Sequence, residues 1–330
     1  MLLRIHVVCR WAFLWGDCMF EFRKAALAAA IVCAIGLGSF GSAHAAAGWK
    51  ALLNMPTAVN SPAVGEINGI IYVAGGVASG GPTGALQAYD PTKNTWSTLA
   101  SIPETLYQGD GTGTINSQLY VAGGWNGSLP TNTLYVFDPS TGWAAKASMS
   151  HLSACGVTGV INTKLYVTSP CDGNSGYFNL LDVYDPVTNA WTSLAPSTTA
   201  HAAGAGAVIN GKLYLAGGVS GAVTNVTEVY DPSTNTWKKL AKMRTPVQAA
   251  SSVALDGKLW VFGGVDAGGT LQSLVQIYDP ITNHWSNAKT SLPAASDGTG
   301  AAVTYGLAFV EGGGGPAATN EDLTVLPSVP

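Results

Sequence analysis

Residues 205–218 read Ala205-Gly-Ala-Val-Ile-Asn-Gly-Lys-Leu-Tyr-Leu-Ala-Gly-Gly218, and residues 227–240 read Thr227-Glu-Val-Tyr-Asp-Pro-Ser-Thr-Asn-Thr-Trp-Lys-Lys-Leu240. The stretch holds four short apolar runs separated by turn signals. Asn210-Gly211 joins the first two runs, and Asn-Gly is the favoured two-residue hairpin turn because both positions take positive φ. Asp231-Pro232 turns the chain between the last two, with Asp capping the turn and Pro fixing φ. The reading is four antiparallel strands: 205–209, 212–216, 227–230 and 237–240.

The same unit recurs along the chain. Tyr/Phe-Asp-Pro stands at Tyr89, Phe137, Tyr184, Tyr230 and Tyr278, and a tryptophan follows each time, at Trp96, Trp143, Trp191, Trp237 and Trp285. Gly-Gly pairs end an apolar run at Gly75, Gly123, Gly217, Gly263 and Gly312. The tryptophans are 47, 48, 46 and 48 residues apart. Four strands per unit at a period near 50 describe a β-propeller blade, and large flat indoles suit the wedges between blades. In order and spacing these markers resemble the kelch repeat family over residues 49–326. Unit three departs from the pattern, with Thr168-Ser169-Pro170 where Ala-Gly-Gly is expected.

Five complete units occupy residues 63–293. A sixth follows with strands expected at 300–304, 307–311 and 322–326, and then the chain ends one strand short. Trp49 lies 47 residues before Trp96, in phase with the series. Residues 49–54 are therefore expected to supply the missing strand. The fold class is all-β: a six-bladed β-propeller of four-stranded antiparallel blades, closed by an N-terminal strand that completes the last blade. Closure removes two exposed sheet edges.

The first 45 residues read as a cleavable signal peptide. Met19-Phe-Glu-Phe-Arg-Lys24 is basic, residues 25–40 form an apolar run of 16, and Ala43-His-Ala45 fits small-x-small cleavage. The run is shorter than the roughly 20 residues of a membrane span. Met19 is an alternative start. Residues 46–330 then form a single propeller domain, expected to be monomeric and to lie in the periplasm or outside the cell. That part has eleven cationic side chains, Arg244 the lone arginine, against 17 acidic ones, a net charge of −6. Such a surface argues against nucleic acid as a partner. No second apolar run is long enough to span a membrane.

Cys155 and Cys171 are the two cysteines outside the leader. They flank the predicted hairpin about Asn162-Thr163, and counting from the turn places Cys155 opposite residue 170 or 171. A disulfide is expected, though a one-residue slip would put the sulfurs on opposite faces.

Function is expected at the end of the channel bearing the inter-blade loops and the loops after the glycine pairs, because those segments vary. Aligned inter-blade loops give one column of Val59, Tyr107, Ser153, His201, Val247 and Ser296, and a next column of Asn60, Gln108, Ala154, Ala202, Gln248 and Asp297. Trp125, Asn126, Asp172 and Asp266 follow the second strands. The candidate ligand-binding set is Tyr107, Gln108, Trp125, Asn126, Asp172, His201, Gln248, Asp266 and Asp297. Aromatic rings and amides suit a neutral polyhydroxylated ligand or a protein. No His-x-His or His-x-x-x-His spacing occurs, so neither a metal nor a cofactor is expected. The kelch resemblance implies a binding module. It also allows a carbohydrate-active enzyme, mutarotase-like or copper oxidase-like, but no catalytic constellation is legible.

Overall fold

The computed structural model describes residues 48–107, 111–171, 176–313 and 324–326. The chain divides into Met1–Ala46 and Ala47–Pro330. The expected signal peptide lies outside the described residues. Among those that are described, no helix is long and apolar enough to cross a membrane.

The described chain is all β. Blade one comprises Ala63–Ile67, Ile70–Ala74, Leu86–Asp90 and Thr95–Leu99; blade two, Gly111–Ile115, Gln118–Ala122, Leu134–Asp138 and Gly142–Ala145. Blade three comprises Thr158–Ile161, Lys164–Cys171, Tyr177–Asp185 and Ala190–Ser193. Blade four comprises Ala205–Ile209, Lys212–Ala216, Thr227–Asp231 and Thr236–Lys239; blade five, Ser251–Leu255, Lys258–Phe262, Val275–Asp279 and His284–Asn287. Within each blade the strands pair antiparallel in chain order.

The expectation of a six-bladed propeller is corrected: the structure shows five complete blades. Five blades are full and continuous in sequence. The sixth position holds a composite sheet that begins with Gly300–Thr304 and Leu307–Glu311. Its third strand is Thr324–Leu326, and its fourth is Lys50–Ala51, paired Lys50 to Val325 and Ala51 to Thr324. The N-terminal segment thus closes the ring, but through two residues rather than the six expected. Pairing stops there because blade one captures the backbone of Leu53: Asn94 Oδ1 accepts its N–H at 3.2 Å, and the indole Nε1 of Trp96 donates to its carbonyl at 2.8 Å.

That capture is the rule of the fold. Each tryptophan indole donates to the carbonyl of the residue four beyond the preceding tryptophan: Trp143 to Ala100, Trp191 to Ala147, Trp237 to Ala195 and Trp285 to Ala241, at 2.7–3.0 Å. The turn asparagine takes the N–H of the same residue: Asn189 from Ala147, Asn235 from Ala195 and Asn283 from Ala241, at 2.9–3.0 Å. The tyrosine of Tyr-Asp-Pro donates its hydroxyl to that asparagine oxygen at 2.6–2.8 Å. Asparagine suits the site because its φ is about +51 to +52°, a region it tolerates better than most residues. Burial pushes the Tyr89, Tyr184, Tyr230 and Tyr278 phenols up to about 12, so they remain protonated donors. Blade two confirms the logic by omission. Its turn is one residue shorter and lacks the asparagine, and Phe137 replaces the tyrosine.

The linkers between blades are held from both sides. The third strand of the following blade latches the front: the Gln87 amide bonds both backbone groups of Thr57, and Gln276 does the same to Thr245. Glu228 accepts from the Thr198 N–H at 2.9 Å, and Asp182 Oδ2 lies 3.0 Å from His151 Nε2. The glycine pair of the preceding blade holds the rear. Gly218 N donates to Val247 O at 2.8 Å. Gly217 takes φ +68°, and a Cβ there would sit 2.5 Å from the same carbonyl.

Asn235→Ala removes the acceptor of two donors, Tyr230 Oη and Ala195 N. It should cost about 2–3 kcal/mol in denaturant unfolding, against about 1 kcal/mol for Tyr230→Phe, which leaves the backbone bond intact. A cost for Asn235→Ala no larger than that of Tyr230→Phe would refute the grip.

Candidate functional site

The six inner strands, the first of each blade and Gly300–Thr304, stand side by side in cyclic order around a central channel. The cavity is about 370 Å³, and glycine, alanine, valine, threonine and serine dominate its lining. Among the described residues, none that lines it is charged. Several hydroxyls are spent tying neighbouring inner strands together: Thr114 donates to Glu66 O at 2.6 Å, Thr158 to Thr112 O at 2.6 Å and Ser252 to Gly206 O at 2.9 Å.

At one end the channel carries a belt of residues with positive φ, two or three before a first strand: Ser61, Cys155, Ala203, Ala249 and Gly298. They are joined head to tail by backbone bonds. Ser61 N donates to Gly298 O, Gly298 N to Ala249 O, Ala249 N to Ala203 O and Ala203 N to Cys155 O, at 2.6–2.9 Å. A smaller cavity of about 150 Å³ lies at this belt. Main chain thus frames this end of the channel.

The sequence-predicted residues separate into three groups. Tyr107 and Trp125 come together. They exchange both backbone bonds at 3.0 and 2.8 Å, so their side chains leave the same face of the ribbon. Asn126 adjoins them, donating to Glu104 Oε1 at 3.2 Å. Across the mouth, Gln248 pairs with Val265, next to Asp266, and Asp297 stands where the Asn60 amide reaches its carbonyl at 3.3 Å. Burial raises the Asp297 carboxyl. Asp266 is a loop brace: its carboxylate accepts from Gly268 N, Thr270 N and Gln272 Nε2 at 2.7–2.9 Å. Gln108 and Asp172 lie outside the described residues.

His201 is a buried strut, 2% exposed. Its Nδ1 lies 2.7 Å from Gly217 O and carries the proton, which leaves Nε2 neutral and without a hydrogen-bond partner among the described residues. Burial lowers its pKa, opposed by the Gly217 bond and Glu228. Its role follows from the departure in blade three. Pro170 has no N–H to hold the outgoing linker, so His201 anchors that linker to blade four instead.

The disulfide expected between Cys155 and Cys171 is not shown by the structure. The register puts Ala154, not Cys155, opposite Cys171: Ala154 N donates to Cys171 O at 3.1 Å, and Cys171 Sγ to Ala154 O at 2.7 Å. Cys155, at φ +63°, belongs to the belt at the mouth.

The alignment of loops was also one residue out in the linker entering blade two. Gly76 N bonds Leu106 O, as Gly124 bonds Ser153 and Gly264 bonds Ser296. Leu106 therefore shares the column of Val59 and Ser153, and Tyr107 shares that of Asn60. Two features escaped the sequence reading. One is Glu104, held by Asn126 and Thr133. The other is the lengthened hairpin of blade three, whose strands of 8 and 9 residues bring Tyr177 (49% exposed), Phe178 and Leu180 to the surface. Exposed Leu129 and Leu152 flank the same run of bridges, Thr131 to Ser153 and Ala154 to Cys171. Among the described residues, no group of three His, Cys, Asp or Glu side chains could hold a metal ion.

Comparison with known proteins agrees with this architecture. The family model described as Attractin/LZTR1 beta-propeller matches residues 71–313. The solved structure of YjhT superposes with a TM-score of 0.71 at 20% identity, over 84% of this chain and 97% of that one. At that identity the likeness concerns the fold. No curated protein sequence matches the chain.

The folded state favours the neutral His201 ring, so its contribution is present above the ordinary imidazole value of 6.5 and is lost as pH falls below it. His201→Gln should flatten this acid-side fall in melting temperature. An unchanged profile between pH 7 and 5 would remove His201 from the account.

Proposed function

Since the chain belongs to the Attractin/LZTR1 beta-propeller family, we propose that it is an exported binding module that holds a protein or a neutral polyhydroxylated ligand on the mouth face of blades two and three. The observation that carries this reading is the paired Tyr107 and Trp125, beside a corner where Leu129 is 63% exposed and Tyr177 and Phe178 also reach solvent. Exposed aromatic and apolar side chains gathered on one face mark interaction surfaces, and aromatic anchors dominate their energetics. Among the described residues, the channel lining behind them carries no charged side chain for an ionic substrate. Kelch-like repeats with variable segments at the mouth fit a scaffold that displays loops. Export rests on the basic segment, apolar run and Ala43-His44-Ala45 of the leader.

A glycan array and a pull-down with the purified protein would identify the ligand class. Trp125→Ala should then weaken the affinity about tenfold or more, whereas Gln248→Ala, across the mouth, should leave it within about twofold. Equal affinities for both variants would show that blades two and three are not the binding face. N-terminal sequencing of protein recovered from the periplasm or medium should begin at Ala46; an intact leader on cytoplasmic protein would refute export.

A further inference from the structure

Five joints of the ring carry the indole grip, and the sixth does not. By the spacing of the others, Trp49 Nε1 should reach the carbonyl of Lys289, four beyond Trp285. It is buried and has no hydrogen-bond partner among the described residues. The ring instead stands edge-on to Phe262 at 5.8 Å. The asparagine is missing too: Ala47 occupies the position two before the tryptophan. The joint between blade five and the composite sheet is thus held by packing without the polar grip, and the sheet itself closes through the two residues Lys50–Ala51.

On its other flank the composite sheet carries Glu311, where blades one, two, four and five place Ala74, Ala122, Ala216 and Phe262. Glu311 is 1% exposed, and neither carboxyl oxygen has a hydrogen-bond partner among the described residues. Strand alternation puts it on the face of Phe309, toward blade one. The buried residues of that boundary are Ile71, Tyr89 and Phe309, with Met55, Val59 and Val73 beyond. Of these, the Tyr89 phenol is the titratable group, and Glu311 acts on it electrostatically. An alanine or phenylalanine here would bury without cost, whereas a lone carboxyl does not.

We infer that the propeller is built to open at this composite sheet, the Lys50–Ala51 clasp parting while the five gripped joints stay shut, and that a negative charge on Glu311 drives the opening. Burial pushes the Glu311 carboxyl up to about 8 from an ordinary 4.5. The closed state therefore holds the proton. Its stability is full below about 4.5 and declines as pH rises toward 8, because the open sheet lets the carboxylate meet water.

Hydrogen exchange of the full chain at pH 6 and pH 9, corrected for intrinsic chemistry, tests this. Amides of residues 50–51, 300–311 and 324–326 should lose protection about tenfold or more at pH 9, while blades two to four hold theirs. Glu311→Gln should abolish the difference. Uniform protection at both pH values, or the same loss in Glu311→Gln, would overturn the inference. A disulfide across the clasp, from Ala51→Cys with Thr324→Cys at paired positions, provides a second route that leaves Glu311 in place. Oxidised, it should keep the sheet protected at pH 9. Persistent loss of protection in the locked protein would place the opening elsewhere.

Discussion

Everything in this ring depends on one small exchange of hydrogen bonds. An indole N–H and a turn asparagine take hold of the backbone of the residue that lies four beyond the previous tryptophan. The exchange explains why the repeat consists of Tyr-Asp-Pro, Asn and Trp at fixed offsets. Asp and Pro make the turn, Asn reaches out of it, Tyr steadies Asn, and Trp closes the grip while filling the wedge. Buried donors and acceptors left open cost more than formed bonds gain, so the asparagine and the hydroxyl that donates to it are kept or lost together. Blade two gives up asparagine and hydroxyl together and keeps the indole bond.

The same exchange shows why the individual blades were legible in the sequence and the closure was legible only in part. Turn chemistry and strand alternation are local, and they located every strand of blade four within a residue. The phase of Trp49 exposed the N-terminal closure for the same reason. What could not be read was the trimming of that closure, because Leu53 answers to Asn94 and Trp96, some forty residues away. Tyr107 slipped a column because linker register is set by glycine N–H groups of another blade, not by the linker itself.

His201 and the cysteines teach a related lesson. A histidine in a variable loop resembles chemistry, but a proline thirty residues earlier had removed a donor, and the ring repairs the loss. Counting from the turn left Cys155 one residue from the position opposite Cys171, which the ladder gives to Ala154. Buried Gln87, Glu228 and Gln276 would also attract a search for active groups, yet each one fastens a linker. In this molecule a buried polar side chain is usually a fastener. Glu311, like the Trp49 indole, fastens nothing among the described residues.

The gripped partner at each joint offers only its peptide groups. Leu53, Ala100, Ala147, Ala195 and Ala241 accept the same hold with unlike or minimal side chains. Recognition between neighbours is consequently blind to sequence on one side. A blade duplicated, or moved to a new place in the ring, would find the hold waiting wherever it arrived. Mutual fit would not have to be evolved afresh for each pair. The loops at the mouth, exempt from that contract, were left free to diverge.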